Sequence, residues 1–588
     1  MNTILHYLLR NATTSPDQIA IEAPLSKKTV TNAQLWQQSQ NTAAYLRDSH
    51  QPRERVILLY DNTPDFFSVF LGTLLANLIP VPLMPPSPRP HRLPAEIEKL
   101  YRVCQDCDAK CILTTPLIKR SLRLAALKAK LTREDLSLSK LPPIKTIRLS
   151  GHSSSFELTN LQVDNTAFLQ YTSGSTHDPK GVMITHTNII RNTQHITQQM
   201  QQIESAVTWA PCHHDLGIMS GLFMPLFLSI PSYLLSPMDF MKNPNNWLKV
   251  ISSANNCYSA GPNFAYEYCC KKFDETQLPS LDLSTWRYAG CGAEKNHADT
   301  LTRFIDRFAR YGFQPTAFAP AYGLAEHTVC VCGFTDDRNP LNHAHRLETQ
   351  PTPSQILGES ISLPHGRAFD HHKIRIINPQ TLQECDESTV GEIWCQGPSV
   401  ARGYWNQESL TQEVFHAYTN DGQGPFLRTG DLGFLKEDQL HITGRIKDSL
   451  IINGKNHAAE DIEWALRSAH PNLRPGGLCA VSIPDRHNIE TAAIFVELYR
   501  STGATASEII SAIQQQSTSN IGIRLSTIVL LEPGTLHKTT SGKCQRQKNK
   551  RYWLDGKLPH LVHVQLSSKI NYHPDKKTLA RFFKPERK

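Results

Sequence analysis

The chain has 588 residues, a net charge of +8 and 14 cysteines. This length exceeds what one hydrophobic core supports and implies at least two domains. With 40% hydrophobic and 19% charged residues, the composition is that of a globular protein and excludes a disordered or fibrous chain. The charge is not gathered into the basic stripe of a nucleic-acid binder, so no nucleic acid is expected as partner. Cysteines without a visible secretion signal predict reduced thiols and a cytoplasmic location rather than a disulfide framework. The most apolar stretch, residues 221–235, is broken by Pro225 and Pro231 and is too short to span a bilayer. No integral membrane segment is expected, and that stretch reads as buried core.

In chain order, the apolar run 56–60, the helical stretch 66–75 and the run 79–83 alternate as strand, helix and parallel strand. Cys104 and Cys107 form a CxxC with no second pair at zinc spacing, and read as thiols at a helix-to-strand junction. A second alternating region begins near Phe168 and runs beyond Ala325. Residues 336–360 are polar, rich in Asn, His and Pro, and read as an exposed excursion. Strand-like runs return at 373–377 and 392–394, a β subdomain. A smaller region follows Arg445, with apolar runs at 477–483 and 492–498.

The sharpest local signal is Tyr171-Thr-Ser-Gly-Ser-Thr-His-Asp-Pro-Lys180-Gly181. Small hydroxyl residues and glycines let backbone amides approach phosphate oxygens, and Lys180 adds charge. It is not a Walker A loop, which needs GxxxxGK[ST] with a helix directly behind. Five further motifs follow it in order. They are Trp209-Ala-Pro-Cys-His-His214-Asp215, Gly290-Cys-Gly-Ala-Glu294, Pro320-Ala-Tyr322-Gly-Leu-Ala-Glu326, Leu427-Arg-Thr-Gly-Asp431 with Ile442-Thr-Gly-Arg445-Ile-Lys447-Asp448, and Lys538-Thr-Thr-Ser-Gly542-Lys543.

This ordered set resembles the adenylate-forming superfamily of acyl-CoA synthetases, luciferases and peptide-synthetase adenylation domains. Within it, His214-Asp215-Leu-Gly217, Ala260-Gly-Pro-Asn-Phe-Ala265-Tyr-Glu and Gly397-Pro-Ser-Val-Ala-Arg-Gly-Tyr-Trp405 are most similar to fatty acyl-AMP ligases. The resemblance implies an α/β fold: a large N-terminal domain of packed mixed and parallel sheets with flanking helices and a β subdomain, plus a small mobile α+β C-terminal domain. Boundaries are placed at residues 1–446, 447–557 and a basic tail 558–588. It implies ATP and Mg²⁺ as cofactors, a fatty acid as substrate, and a carrier-protein phosphopantetheine thiol as acceptor.

Residue by residue, the resemblance gives Thr172, Ser173, Gly174, Ser175, Thr176 and Lys180 the β- and γ-phosphates. Fixed donors there suit a leaving pyrophosphate. His177 departs from the family's usual glycine and restricts the loop. Glu326, with Thr172 or Thr176 as hydroxyl partner, is implied for the metal, a hard cation that takes one or two carboxylates plus phosphate oxygens. Tyr322, with Ala321, Gly323 and Leu324, lies against adenine, and Gly292, Ala293 and Glu294 line the other side. Asp431 accepts the ribose hydroxyls beside Arg445. Lys543 bridges the acyl carboxylate and the α-phosphate, offsetting two anions that must meet. Lys447 occupies the hinge. His214 either serves the carboxylate or is a satisfied buried histidine. Cys212 and His213 carry no metal expectation, because the spacing is wrong.

The apolar residues between 217 and 235 suit an alkyl chain, and no acidic partner for a substrate amine stands near 209–216. The excursion 336–360 sits where the family's acceptor-selecting insertion belongs but is shorter. A fatty acyl-CoA ligase therefore stays open as the alternative, and a binding protein of the same fold that has lost turnover as a second. The motif lysines, carboxylates and Arg445 argue against the latter.

Overall fold

The computed structural model describes residues 3–87, 93–132, 137–149, 158, 162–172, 179–333, 339–346, 361–452, 455–484, 490–500, 503–539, 542–565, 571–572, 579 and 581–583. The expected alternation is present at the start. Arg55–Leu59 and Ile79–Leu83 pair in parallel, joined by the helix Pro64–Leu75, whose first residue is a proline with φ already set for a helix. Every residue of that helix except Asp65 is buried, as expected of an element apolar all round.

The larger sheet has parallel strands at its centre. Phe318–Tyr322, Trp286–Cys291, Cys257–Gly261, Ser205–Thr208 and Ser232–Leu234 lie side by side in that order. Gly261, Cys291 and Tyr322 thus end at one edge, and the motifs that follow them are delivered together. This is the usual place for ligands in open α/β sheets. Beneath lies an aromatic core in which Trp247, Trp286, Tyr266 and Phe304 meet at 5.1 to 6.1 Å between ring centroids. Each such side chain adds about 2 kcal/mol on burial.

A short hairpin, Thr166–Tyr171 against Gly181–Thr185, carries the Ser/Thr/Gly loop at its tip. It is stitched to the β subdomain by the Trp405 amide on the Gly181 carbonyl at 2.8 Å. That subdomain is antiparallel, with Lys373–Ile377, Gly391–Gln396, Leu427–Lys436 and Gln439–Arg445 in sequence order. A single helical turn, Ile446–Asp448, then leads into a separate five-stranded sheet with its own apolar core. Lys447 sits in that turn.

The stretch expected as a basic tail from 558 departs from that reading. Val562–Gln565 adds antiparallel to Thr527–Leu531, and Leu558, Leu561, Val562 and Phe582 are buried. Apolar residues alternating along 561–565 cover a sheet edge, which the surrounding lysines and arginines hid in the composition. Among the described residues no helix is long and apolar enough to cross a membrane, and all 14 cysteines are free thiols.

Candidate active site

The edge of the large sheet, the hairpin, the β subdomain and the C-terminal domain enclose one cleft of about 3340 Å³. Thr172, Lys180, His214, Gly292, Ala293, Glu294, Ala321, Tyr322, Gly323, Leu324, Glu326, Asp431, Arg445, Lys447 and Lys543 all line it. Residues separated by up to 371 positions are thereby brought together. Ser173, Gly174, Ser175, Thr176 and His177 lie outside the described residues. The Thr172 amide donates to the Lys180 carbonyl at 3.1 Å, closing the base of their loop. The Lys180 ammonium stands 5.3 Å from the ring centre of Tyr404.

Tyr322 ends its strand with its hydroxyl donating to Asp431 Oδ2 at 2.7 Å. The strand pairing of Asp431 with Arg445 puts the Arg445 Nε 2.9 Å from Asp431 Oδ1. Burial, then the Asp431 charge, pushes the Tyr322 phenol well up, and Asp431 pushes the Arg445 guanidinium up. A carboxylate has about four lone-pair positions, so these two bonds leave room for two more donors. Glycine is required just beyond the strand, because a Cβ on Gly323 would sit 1.7 Å from the Val329 carbonyl oxygen. The chain thus folds back tightly enough to present Glu326.

Glu326 accepts from the Tyr404 hydroxyl at 2.8 Å, a partner that sequence reasoning did not assign. Burial raises the Glu326 carboxyl, and the Tyr404 bond partly offsets this. Tyr404 stood inside one of the resemblance phrases, but only the bridge between hairpin and subdomain reveals its role.

His214 caps the short helix Asp215–Ile218, and its Nδ1 lies 2.5 Å from Asp215 Oδ1. Burial raises the Asp215 carboxyl, but His214, the Leu216 amide and Lys543 outweigh it and leave the carboxyl below its ordinary value. Neighbouring His213 is half-buried and held down to about 3 by desolvation, and the Cys212 thiol is pushed up by burial. The apolar stretch 217–235 turns out to serve chiefly as core: Leu222, Phe223, Met224 and Leu226 are at most 4% exposed. Only Met219 of that stretch reaches the cleft, together with Leu216 just before it. The rest of the apolar lining comes from elsewhere, including Ile196, Met200, Tyr258 and Val329. A π-helical turn at Met219–Phe223 rotates the remaining side chains into the interior.

Ala293 is left-handed at φ 66°, which turns Glu294 so that its Oε1 accepts from the Phe264 amide at 2.6 Å. Burial raises the Glu294 carboxyl to about 7. The folded protein therefore holds this proton more tightly than the unfolded chain. Stability contributed by the protonated form is complete below pH 4.5 and is lost as pH climbs to about 7. Glu294→Gln keeps the acceptor for Phe264 and removes the titration. It is expected to raise the unfolding midpoint above pH 7, by an effect on the order of 2 kcal/mol, with little change below pH 4.5. Thermal unfolding across pH 4 to 8 checks this; equal shifts at both ends would contradict it.

Lys543 comes from the C-terminal domain. Its loop is drawn shut by the Thr539 amide on the Lys543 carbonyl at 2.7 Å and the Lys543 amide on Thr539 Oγ1 at 3.0 Å. Gly542 at φ 89° makes the turn. Burial and then Arg445 lower the Lys543 ammonium, while Glu294, Glu460 and Asp215 draw it back up. The lysine thus faces the same space as the carboxylates of the large domain. Asn549 holds the loop's base by both backbone groups of His537, at 2.9 and 3.1 Å. Arg546 fixes the neighbouring helix to Glu463 at 2.7 Å and to Asp448 beside the hinge at 3.0 Å.

This arrangement has relatives. The AMP-binding enzyme family model matches residues 8–405, and a model for the AMP domain of Disco-interacting protein 2-like proteins matches residues 447–563. A medium-chain-fatty-acid–[acyl-carrier-protein] ligase, JamA of Moorena producens, is 35% identical over 91% of this chain and 92% of its own. The long-chain-fatty-acid–AMP ligase FadD23 of Mycobacterium tuberculosis is 33% identical over 88% of this chain and 90% of its own. A Legionella pneumophila fatty acyl-adenylate ligase solved with acyl adenylate and pyrophosphate superposes with a TM-score of 0.68 at 32% identity, covering 96% of this chain and 98% of that one. The chain belongs to the AMP-binding enzyme family.

Proposed function

We propose that this protein activates a fatty acid with ATP, releasing pyrophosphate and forming an acyl-adenylate, and then passes the acyl group to the phosphopantetheine thiol of an acyl carrier protein. The observation that carries the reading is Lys543 of the small domain lining the same cleft as Asp215, Glu294 and Arg445 of the large one. In the first step a carboxylate oxygen attacks the α-phosphorus and the bond to pyrophosphate breaks. Lys543 spans the two anions and offsets the charge that builds between them. Its lowered pKa without ligand reflects burial; two incoming anions favour the charged form. Asp431 accepts the ribose hydroxyls, Tyr322 and Gly292 to Glu294 flank the base, and Thr172 to Lys180 hold the leaving phosphates. In the second step the thiol sulfur attacks the acyl carbon and AMP departs. Lys447 is the hinge about which the C-terminal domain, with the strand Val562–Gln565 in its sheet, turns between the steps.

Among the described residues no three His, Cys, Asp or Glu side chains gather to hold a metal. A cation beside Glu326 would take most of its ligands from phosphate oxygens, which fits Mg²⁺. Bound there, Mg²⁺ would neutralise phosphate charge. The half-buried Glu326 carboxylate, steadied by Tyr404, is the residue that would hold it. Fourteen free cysteines support a cytoplasmic setting.

The carrier protein as acceptor is supported by the similarity to JamA, whose name specifies one. Relatives named fatty-acid–CoA ligases, such as FadD21 of Mycobacterium tuberculosis at 32% identity, keep CoA as the second reading. A screen of fatty acids by ATP–pyrophosphate exchange, followed by a competition between holo-carrier protein and CoA, separates them. Loading of the carrier at least tenfold faster than acyl-CoA formation is expected. Efficient acyl-CoA formation would move the acceptor to CoA, and absence of exchange with every fatty acid would overturn the reading itself.

A further inference from the structure

Directly after the Gly292-Ala293-Glu294 turn, three successive odd-numbered residues reach across to the helix Ala459–Leu466 of the small domain. The Lys295 ammonium, only 7% exposed, lies 2.6 Å from Asp461 Oδ1. The His297 ring stacks on Trp464 with centroids 3.6 Å apart and planes 1° from parallel. The Arg467 guanidinium carbon stands 3.5 Å from the same Trp464 centroid. With His297 flat on one face at that spacing, Arg467 must occupy the other. Arg467 is itself held by the Trp464 carbonyl at 2.7 Å and faces Asp299 at 3.6 Å.

The seam is too specific to be incidental packing. The imidazole against Trp464 comes from the large domain, so the His297–Trp464 stack is gained only while both domains are in register; Arg467 holds the other face of Trp464 from within the small domain. The half-buried Lys295–Asp461 pair crosses the domains too and weakens as they separate. One side of the seam continues into the turn that presents Glu294. The other continues through Glu460, which acts on Lys543, and through Glu463, which holds Arg546 and through it Asp448 at the hinge.

We propose that Lys295, His297, Asp299, Asp461, Trp464 and Arg467 form a latch that positions the small domain for adenylate formation and must release for acyl transfer. None of them touches the reacting atoms; they act through where they hold Lys543. The proposal rests on the two-step reading above and adds which contacts set the balance between the steps.

The test compares Lys295→Asp, Asp461→Lys and the double charge exchange, with Trp464→Ala and the conservative Trp464→Phe. Each single charge variant and Trp464→Ala should slow ATP–pyrophosphate exchange about tenfold in kcat. Transfer from supplied acyl-adenylate to the acceptor thiol should be unchanged or faster. The double exchange and Trp464→Phe should recover most of the lost rate. Hydrogen exchange supplies a readout that needs no substrate. Residues 295–299 and 459–467 should lose protection together in the single variants and regain it in the double. Loss of both half-reactions without rescue, or protection unaltered in every variant, would overturn the latch. Wild-type protein that shows the protection pattern yet exchanges no pyrophosphate with any fatty acid would overturn the function and leave the latch standing.

Discussion

Lys543→Ala is expected to lower fatty-acid-dependent pyrophosphate release by about a thousandfold while leaving the unfolding midpoint within a few degrees of wild type. The size follows from the chemistry: a preorganised cation facing charge that develops in the transition state contributes about 3 to 4 kcal/mol. Stability should hardly move, because the lysine's side chain is only part-buried and its loop is fixed by backbone bonds to Thr539 and by Asn549. The substitution keeps the Thr539 hydroxyl and Gly542, so the loop retains its shape. Transfer of a supplied acyl-adenylate to the acceptor should survive, since the second step does not need the ammonium between two anions. Measuring the two half-reactions separately is the check. A Lys543→Ala enzyme with undiminished pyrophosphate release would remove the residue from the mechanism.

The second large effect is expected at Asp431. Its side chain is 6% exposed and already accepts from Tyr322 and Arg445. Asp431→Ala leaves a buried phenol hydroxyl without its acceptor and a guanidinium without its counter-charge, and also removes both positions offered to a ribose. Charge-assisted bonds of this kind are worth about 1.5 to 3 kcal/mol each. The KM for ATP should therefore rise by about a hundredfold, with a much smaller change for the fatty acid. Asp431→Asn keeps one acceptor oxygen and should fall between. Steady-state kinetics with each substrate varied in turn separates these outcomes. A rise confined to the fatty acid would place Asp431 on the acyl side of the cleft.

The parts legible in the sequence were those written locally. The strand, helix and strand over 55–83 followed from runs of apolar residues whose period decides the element. Most of the described motif residues followed because they sit at a strand end or in a turn, where short Gly-containing phrases hold backbone shape; Asp431, inside the strand Leu427–Lys436, is the exception. Parallel pairing then delivers those strand ends to one edge, so their order in sequence translated into one cleft in space.

What escaped the sequence was set by long-range packing. Lys295 and Asp461 are 166 residues apart, and nothing in the spacing of either segment announces the other. Tyr404 stood inside a resemblance phrase with no role of its own, because the bond from its hydroxyl to Glu326 spans 78 residues. The stretch 217–235 carried two expectations, core and alkyl-chain wall, and the packing bears out the core, because hydrophobicity alone does not distinguish one from the other. The strand at 562–565 was masked by its charged surroundings, although its alternation was present in the sequence.

The central claim is that the small domain's ammonium meets an acyl-phosphate junction held by the large domain. A crystal structure with a non-hydrolysable acyl-sulfamoyl adenosine tests it most directly. The prediction is Lys543 Nζ at about 3 Å from the sulfamoyl or acyl oxygens, with the ribose hydroxyls on Asp431. A ligand bound in the same cleft with both Asp431 and Lys543 turned away from it would contradict the account.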